Sequence, residues 1–504
     1  MSSRTQASTA IKLKSKGYDN FKGLDTSRSE TSQEVKGGLP LTVLNNAFCD
    51  WRGQITRAAA GTHRNGLYPV VHAKFLDRDV LTWAERRGGA IYLTSDNEDG
   101  NGSHTIEAYP TTAVLSSTHF NNKVHYAAQA LPMFSYDGTS FAQNQSFALN
   151  NFLKPAYVCS VQRRMVVAGI LGREQEVHLS RVDNEEVMPE DEDPASADVE
   201  RGGTISVRNL SGVAGRVTGI APFEQTKLAI FTEDRAFVYT VDPDIDKWFL
   251  DDRANINIGC LSHNTIVPAG SDLLYCSRSG VHSVRRSDEN GIMIDSQHFS
   301  DRINEIYRYF LSRVEDPSTI SAAFDQDKRQ YNIYFPEPGG FLWKSLCLTM
   351  NPEAGGEIRW STADYLNASC GTFYGGNYIV GTSGGVYNIG DYETNLDEYI
   401  PVKANIETPI LWMDDMVNTK QGHSWVMMAS GPGELQVTAL NEEDDILGSW
   451  NMEVSGEDDG TFFGVPLFNQ YQRKFDARFR GVKFRFETES KGLVRIVGIM
   501  INTR

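Results

Sequence analysis

Runs of β-branched and aromatic residues, broken by small polar turns and answered by a second run that alternates apolar with polar positions, recur through the middle of the chain. The clearest are residues 227–241 (KLAIFTEDRAFVYTV) and 272–284 (DLLYCSRSGVHSV). Each reads as a β-hairpin, because a period of two sends one set of side chains to a buried face. A third copy stands at 377–389 (NYIVGTSGGVYNI) and a looser one at 164–182 (RMVVAGILGREQEVHLSRV). The returning strands begin near Val177, Phe237, Val281 and Val386, in steps of 60, 44 and 105 residues. At roughly 50 residues per blade the last step spans two repeats. The intervening copy is visible at 322–336 (AAFDQDKRQYNIYFP), with Asp325 to Arg329 as its turn. Repetition at this period predicts an all-β fold with a β-propeller-like body.

The same pattern extends outward. Residues 41–61 read as two strands around a turn at 50–53, opening the first blade, and 68–83 and 89–95 continue the β pattern up to a Gly- and Asn-rich turn at 97–103. Residues 124–141 repeat the style, with Asp137 and Gly138 as the turn. One segment changes period: Ile303, Ile306, Tyr307, Phe310, Leu311 and Val314 share a face at helical spacing, which predicts a helix over 300–314 inserted between blades. Ser300 is placed to cap it, Pro317 to stop it, and its apolar stripe to pack on the propeller. From about residue 400 the strands lengthen (409–413, 424–429, 435–440, 481–487, 494–501), separated by acidic loops at 442–445 and 457–459. A small C-terminal β-sandwich fits them. The expected organisation is a polar arm over 1–40, a propeller-like domain over 41–395 and a β-rich domain over 396–504, unless the last strands close the propeller instead.

Composition supports strands and tight turns, with 44 Gly, 18 Pro, 20 Tyr and 25 Phe in 504 residues. The formal charge of −17 is unevenly spread, since residues 1–40 carry seven Lys or Arg against four Asp or Glu. An acidic body should repel DNA. Arg4, Lys12, Lys14 and Lys16 precede the first acid and lie among Ser, Thr and Gln, as in a solvated tail or an arm that orders on an acidic partner. Residues 184–203 interrupt the strand rhythm with eight acids, among them Glu185, Glu186, Glu190, Asp191, Glu192 and Asp193. They read as a long solvated loop, or as one that lines the lumen of a ring-shaped oligomer with negative charge. The six cysteines lack metal-ligand spacing and read as buried free thiols. No leader-like or membrane-spanning apolar run is present, which predicts synthesis in the cytosol.

Catalytic signatures are missing. The sequence holds no GxSxG, HExxH, P-loop or dinucleotide fingerprint, and its ten histidines are scattered singly. Asp242, Asp244 and Asp246 alternate like a calcium loop but are followed by Trp248 and Phe249 where ligands are needed, so a polar turn is expected. Residues 473–485 (RKFDARFRGVKFR) interleave basic and aromatic side chains. As strands they place phenylalanines inward and charges outward. The expectation is a protein with no catalytic residues, no cofactor and no metal.

Several segments together resemble the tail-hub proteins of short-tailed bacteriophages, the tail nozzle or packaged-DNA stabilisation family. The likeness is carried by GLD at 23–25, NNAFCDWRG at 45–53 with RAAAG at 57–61, and the 164–183 hairpin. The most specific piece is 258–284, through Gly259, Cys260, Ser262, residues 266–269 and SRSGV at 277–281. Residues 324–336 and 360–389 complete it. What the family implies is a virion protein: a ring of six subunits at the distal end of the tail that retains the packaged genome and conducts double-stranded DNA at ejection. Its implied partners are other copies of itself, an adaptor near the portal, fibres or a spike, and a needle or plug. The competing readings are a propeller that binds or cleaves host-surface glycan and a WD-type scaffold, the latter weakened by missing Trp-Asp and Gly-His signatures.

Overall fold

A computed structural model describes residues 14–503 except 19, 28–37, 51–53, 59–60, 78–79, 97–103, 144–153, 194–195, 209–214, 252–256, 271, 288–290, 296–298, 339–342, 351–357, 365–366, 390–401, 414–415, 455–460, 463–464, 467–468 and 490–493. The described residues form strands almost throughout, with one α-helix among them. They divide into two compact units: Gly61–Cys347 with Leu366–Thr394, and Met1–Ala60 with Leu348–Tyr365 and Asn395–Arg504.

The larger unit is a β-propeller. Its first blade is Val70–Phe75, Leu81–Arg87, Ala90–Ser95 and His104–Pro110, and its second is Leu115–Phe120, Lys123–Ala128, Phe134–Tyr136 and Phe141–Gln143. The third is Tyr157–Val161, Arg164–Ile170, Arg173–Leu179 and Gly203–Ser206, and the fourth is Val217–Phe223, Lys227–Thr232, Ala236–Thr240 and Phe249–Leu250. Val267–Ala269, Asp272–Cys276, Val281–Ser287 and Gly291–Asp295 make the fifth. Next comes the hairpin of Ser321–Asp325 and Gln330–Pro336, extended by Trp343–Thr349. The last four-stranded blade is Cys370–Tyr374, Asn377–Thr382 and Gly385–Ile389, completed by Gly61–Asn65 from the start of the unit. That borrowed strand closes the circle, and Cys370–Tyr374 then packs on Val70–Phe75 with the Tyr374 and Phe75 rings 5.9 Å apart.

Four of the hairpins read from sequence are the two middle strands of their blades, where both faces are covered by neighbouring blades. The copy at 322–336 is a hairpin with the expected turn, but it forms the first two strands of its sheet, one strand out of phase with the others. Between the third and fourth blades the core is largely aliphatic: Val166, Ala168, Val177 and Leu179 of the third meet Ile220, Leu228, Ile230 and Phe237 of the fourth. Arg164, fully buried, pins this joint by donating to the carbonyls of Ser180, Arg201 and Pro243 at 2.6–2.7 Å, with its guanidinium over Trp248.

The predicted helix is a single 3-10 turn, Asp301–Ile303, followed by an α-helix, Asn304–Arg313. Tyr307 on its buried face donates to the Ser277 carbonyl at 2.6 Å and sets its ring edge-on to Phe335. Packing on the propeller is as expected, but the cap is not. The Ser300 hydroxyl accepts from the Val281 amide instead, tying the helix entrance to the fifth blade.

The second unit is a β-sandwich. One sheet runs Asn469–Lys474, Lys420–Ser430, Arg495–Thr503, Ile55–Arg57, Ala47–Cys49, with Lys14–Tyr18 also on Arg495–Thr503. Facing it are Arg359–Ala363, Val43–Asn45, Ala404–Glu407, Val482–Thr488, Gly433–Asn441 and Ile446–Val454. Trp425 of the first sheet meets Trp450 and Phe484 of the second, at 5.3 and 6.1 Å between ring centroids.

The division of the chain therefore differs from the expected 1–40, 41–395 and 396–504. Residues 41–57 do form a hairpin, with the Asp50 carboxylate accepting from the Gln54 amide across its turn, but it belongs to the sandwich. Pairing with Arg495–Thr503 satisfies its backbone, and alternation alone carries no information about so distant a partner. Residues 409–413 are not a strand but an irregular segment with one bridge, Leu411 to Val482. The turn at 97–103 and the acidic loop at 457–459 lie outside the described residues.

Candidate functional site

The acidic segment 184–203 leaves the third blade after its third strand and returns as its fourth. Much of it is exposed, as expected of a solvated loop, but it is anchored and ion-paired to its own chain. Met188 is buried among Phe120, Ala127, Val158 and Met165, so the segment is anchored by an apolar side chain in the joint between the second and third blades. Glu185, buried, accepts from Asn121 at 2.6 Å and from Lys123 at 3.0 Å. Glu190 receives Arg173 at 2.7 Å and lies 2.9 Å from His178 Nδ1. Glu192 and Asp198 share Arg181, and the Asp191 carboxylate caps the Met188 amide. Burial pushes the Glu185 and Glu190 carboxyls up, but the hydrogen bonds they accept outweigh it and hold both below the usual 4.5. Three of the six acids singled out from sequence are thus neutralised within the chain. Glu186, Glu190, Asp191 and Asp193 all remain exposed at the residue level.

The basic arm is also partly folded. Lys14 pairs with Thr503 and Lys16 with Ile501 in the sandwich, and the Lys16 ammonium sits 5.8 Å from the Tyr18 ring. These two lysines therefore belong to a sheet of their own chain, because the alternating residues 14–18 supply the strand that its edge accepts. Arg4 and Lys12 lie outside the described residues.

One end of the propeller carries a cleft of about 530 Å³, formed where the inner strands begin and the middle hairpins turn. Its charged lining is Glu174, Arg216, Glu233, Arg278 and Asp316. Arg216 donates to Glu233 at 2.7 Å, and Arg278 approaches the same carboxylate at 3.6 Å. Glu174 accepts from the Gly172 amide, which holds it below the usual range. Asp316 caps the turn at Ser318. A general acid needs a carboxyl lifted towards neutrality. Among the described residues Asp96 is the carboxyl that burial lifts, and it pins the closing strand through Arg64 at 2.8 Å, away from this cleft's lining.

The turn His263–Thr265, which leads into the fifth blade, reaches several other blades. Asn264 donates to the Leu115 carbonyl at 2.8 Å, reaching the second blade, while the His263 ring lies 5.1 Å from Tyr157 of the third. The Ile220 amide donates to His263 Nδ1 at 3.3 Å. Gly219 lets this turn approach, since a β-carbon there would stand 2.4 Å from Ile266. Sequence reading singled out Gly259, Cys260, Ser262 and residues 266–269 only for a resemblance, and did not foresee the contacts of His263, Asn264 and Gly219. Gly259 is packed so closely that a β-carbon would lie 2.2 Å from the Thr232 carbonyl oxygen, and the Ser262 hydroxyl bridges to the carbonyls of Ser318 and Ile320. The motif is a joint between blades.

The remaining chemistry matches expectation. All six cysteines are free and buried, with the Cys49, Cys260, Cys276 and Cys370 thiols pushed up to about 12 by burial. Asp242 and Asp244 accept from backbone amides around the 3-10 turn Ile245–Lys247, forming a polar turn. Phe475, Phe479 and Phe484 point inward, with Arg478 and Arg480 outside. Lys483 departs from this rule, buried beside Glu407 and Asp444.

No protein-family model matches the chain, and no curated protein does. Among solved structures it is similar to the extracellular domain of the putative hybrid two-component system BT3049 from B. thetaiotaomicron, at 12% identity over 86% of this chain and 59% of that one, with a TM-score of 0.39. The β-propeller domain of the Trilobed protease from Pyrococcus furiosus, described as having an open velcro topology, gives 8% identity over 65% and 95%, with a TM-score of 0.36. The designed protein Ika8 gives 10% identity over 74% and 99%, with a TM-score of 0.35. At these scores the propeller assignment rests on the chain's own strand order.

Proposed function

We propose that this protein is a non-enzymatic virion component of a short-tailed phage: a subunit of the six-membered distal tail hub that retains packaged DNA and conducts it at ejection. The observation that carries the reading is the resemblance at 258–284, whose matching residues include Gly259, packed on the Thr232 carbonyl of the fourth blade, and Ser262, which bridges to the carbonyls of Ser318 and Ile320. The net charge of −17 suits a conduit, because each phosphate neutralised would add drag to passing DNA. On this reading the partners are other copies of the chain, an adaptor below the portal, fibres or a spike, and a needle or plug.

A second reading, a glycan-binding or glycan-cleaving propeller, is favoured by the mixed-charge cleft around Glu233. The two readings demand different assemblies, since a hub needs large lateral interfaces and a lectin or hydrolase works as a monomer. Light scattering and negative-stain imaging of the purified chain, alone and with tail components, separate them. A ring near six times the 56.2 kDa chain mass supports the hub. A strict monomer that ignores tail components and binds bacterial polysaccharide overturns it.

A further inference from the structure

The cleft at the end of the propeller draws its wall from four successive blades. Gln129 follows the second strand of the second blade, Tyr157 opens the inner strand of the third, Arg216 precedes that of the fourth, and Arg278 sits in the middle turn of the fifth. Its volume of about 530 Å³ falls within the range of roughly 300–1,000 Å³ that holds small molecules. Tyr157 is seated there by a glycine. The pairing of Arg164–Ile170 with Arg173–Leu179 shifts register between Ala168 and Ile170, where Gly169 has a φ of +72° and a β-carbon would stand 3.0 Å from the Tyr157 ring.

Deeply buried tyrosines of the propeller find partners within the chain: Tyr307 donates to the Ser277 carbonyl, Tyr331 to that of Thr265, and Tyr109 to that of Pro132. Tyr157, half-buried, lines the cleft, and its hydroxyl has no partner among the described residues. Such a phenol is satisfied by solvent or by a guest. Burial pushes it up to about 12, so it stays able to donate. The exposed Gln129 amide is likewise unpartnered among the described residues. Arg216 engages Glu233 through Nε alone, which leaves its two terminal amino groups free, and Arg278 comes to the other oxygen of the same carboxylate at 3.6 Å. Glu233 thus orients guanidiniums from two blades. Exposed ion pairs add little to stability, so the fold does not account for this arrangement. Three carboxylates, Glu174, Glu233 and Asp316, against two guanidiniums disfavour an anion, while the guanidiniums disfavour a cation. Hydroxyls, each donor and acceptor at once, suit both kinds of group.

We propose that this cleft binds an uncharged saccharide, whose hydroxyls accept from Arg216, Tyr157 and Gln129 and donate to Glu233 and Asp316. Asp316 keeps one carboxylate oxygen for this, since its turn cap at Ser318 uses only the other. The assignment deepens the glycan reading and rests on it. It needs only the folded propeller and does not depend on assembly into a ring.

The test applies the full chain to a printed panel of neutral and uronate-bearing bacterial oligosaccharides, then measures the retained ones by isothermal titration calorimetry for wild type, Tyr157→Phe and Arg216→Ala. Tyr157→Phe removes a hydroxyl with no partner in the chain, so its thermal midpoint should not move while binding weakens about fivefold, the scale of one neutral hydrogen bond. Arg216→Ala, at an exposed position, should weaken binding about tenfold or more, the scale of a hydrogen bond to a charged group. Retention of neutral members with both losses supports the assignment. Retention of uronate-bearing members alone overturns the uncharged class. A wild type that holds a saccharide with affinity unchanged in both folded variants overturns the site and leaves the glycan reading standing, whereas retention of no saccharide overturns both.

Discussion

The propeller and the sandwich are both antiparallel β, yet they are assembled from the chain in opposite ways. In the propeller each blade draws its strands from one stretch of sequence, and only Gly61–Asn65 is imported from far away to complete the last blade. In the sandwich, beside two local hairpins, several sheet neighbours are several hundred residues apart: Lys14 pairs with Thr503, Ile55 with Ile496, and Asn45 with both Thr362 and Asn405. The cores differ accordingly. Blade joints set Val, Ile, Leu and Ala beside one or a few aromatics each, such as Phe237, Trp83 or Tyr126, whereas the sandwich gathers Trp425, Trp450, Phe475, Phe479 and Phe484 into one aromatic cluster. Local pairing spreads stability over many equivalent joints, while non-local pairing concentrates it in one place that all segments must reach.

That contrast is broken most directly at Trp425, which is fully buried between the two sheets of the sandwich. Trp425→Ala should cost about 3–5 kcal/mol, the range for deleting a large core aromatic. Differential scanning calorimetry is expected to show one transition lowered by roughly 10 °C, at about 2–4 °C per kcal/mol for a unit of this size, and the propeller's transition unmoved. Equal movement of both would mean that the units do not unfold separately.

The matching probe in the propeller is Gly385, where the imported strand joins the last blade. Its φ is +121°, and a β-carbon would lie 2.6 Å from the carbonyl oxygens of Asn65 and Gly66. Gly385→Ala should cost about 1–3 kcal/mol from the backbone conformation alone. Hydrogen exchange should report faster opening of Gly61–Asn65, while the second to fourth blades keep their protection. Uniform acceleration across all blades would show that closure is shared by the whole circle and is not a local latch.

How much could be read from sequence follows the same division. A hairpin announces itself through alternation and a turn between neighbours, so 227–241, 272–284 and 377–389 were legible with their returning strands within a few residues of their observed starts. Lys14–Tyr18 and Val43–Asn45 were not, because nothing in KSKGY or VLN names a partner several hundred residues away. The acidic segment misled for a related reason. Eight acids look solvated until Met188 is seen as its anchor and Lys123, Arg173 and Arg181 as its counter-ions, and those cations lie outside the segment or on other strands.

The smallest effect expected separates two kinds of acidic turn within the propeller. Glu185 and Glu190 are held below 4.5 by Asn121, Lys123 and His178 against the push of burial, and Asp198 is held below 3.8 by the Glu200 amide and Arg181. A depressed folded value means that the unfolded chain takes up protons first as pH falls. The latch is therefore complete above about pH 5 and is lost as pH drops through the folded values, which lie below the ordinary carboxylate range. Asp137 closes its turn through the Ser140 and Thr139 amides and the Thr139 hydroxyl, which bring it down to about 2. Limited proteolysis with an acid-active protease across pH 5 to 2.5 should cut segment 184–203 first and leave the 136–141 turn protected to lower pH. Simultaneous cleavage of both would indicate that Met188, and not the ion pairs, holds the acidic segment in place, since apolar anchoring has no reason to fail in that window.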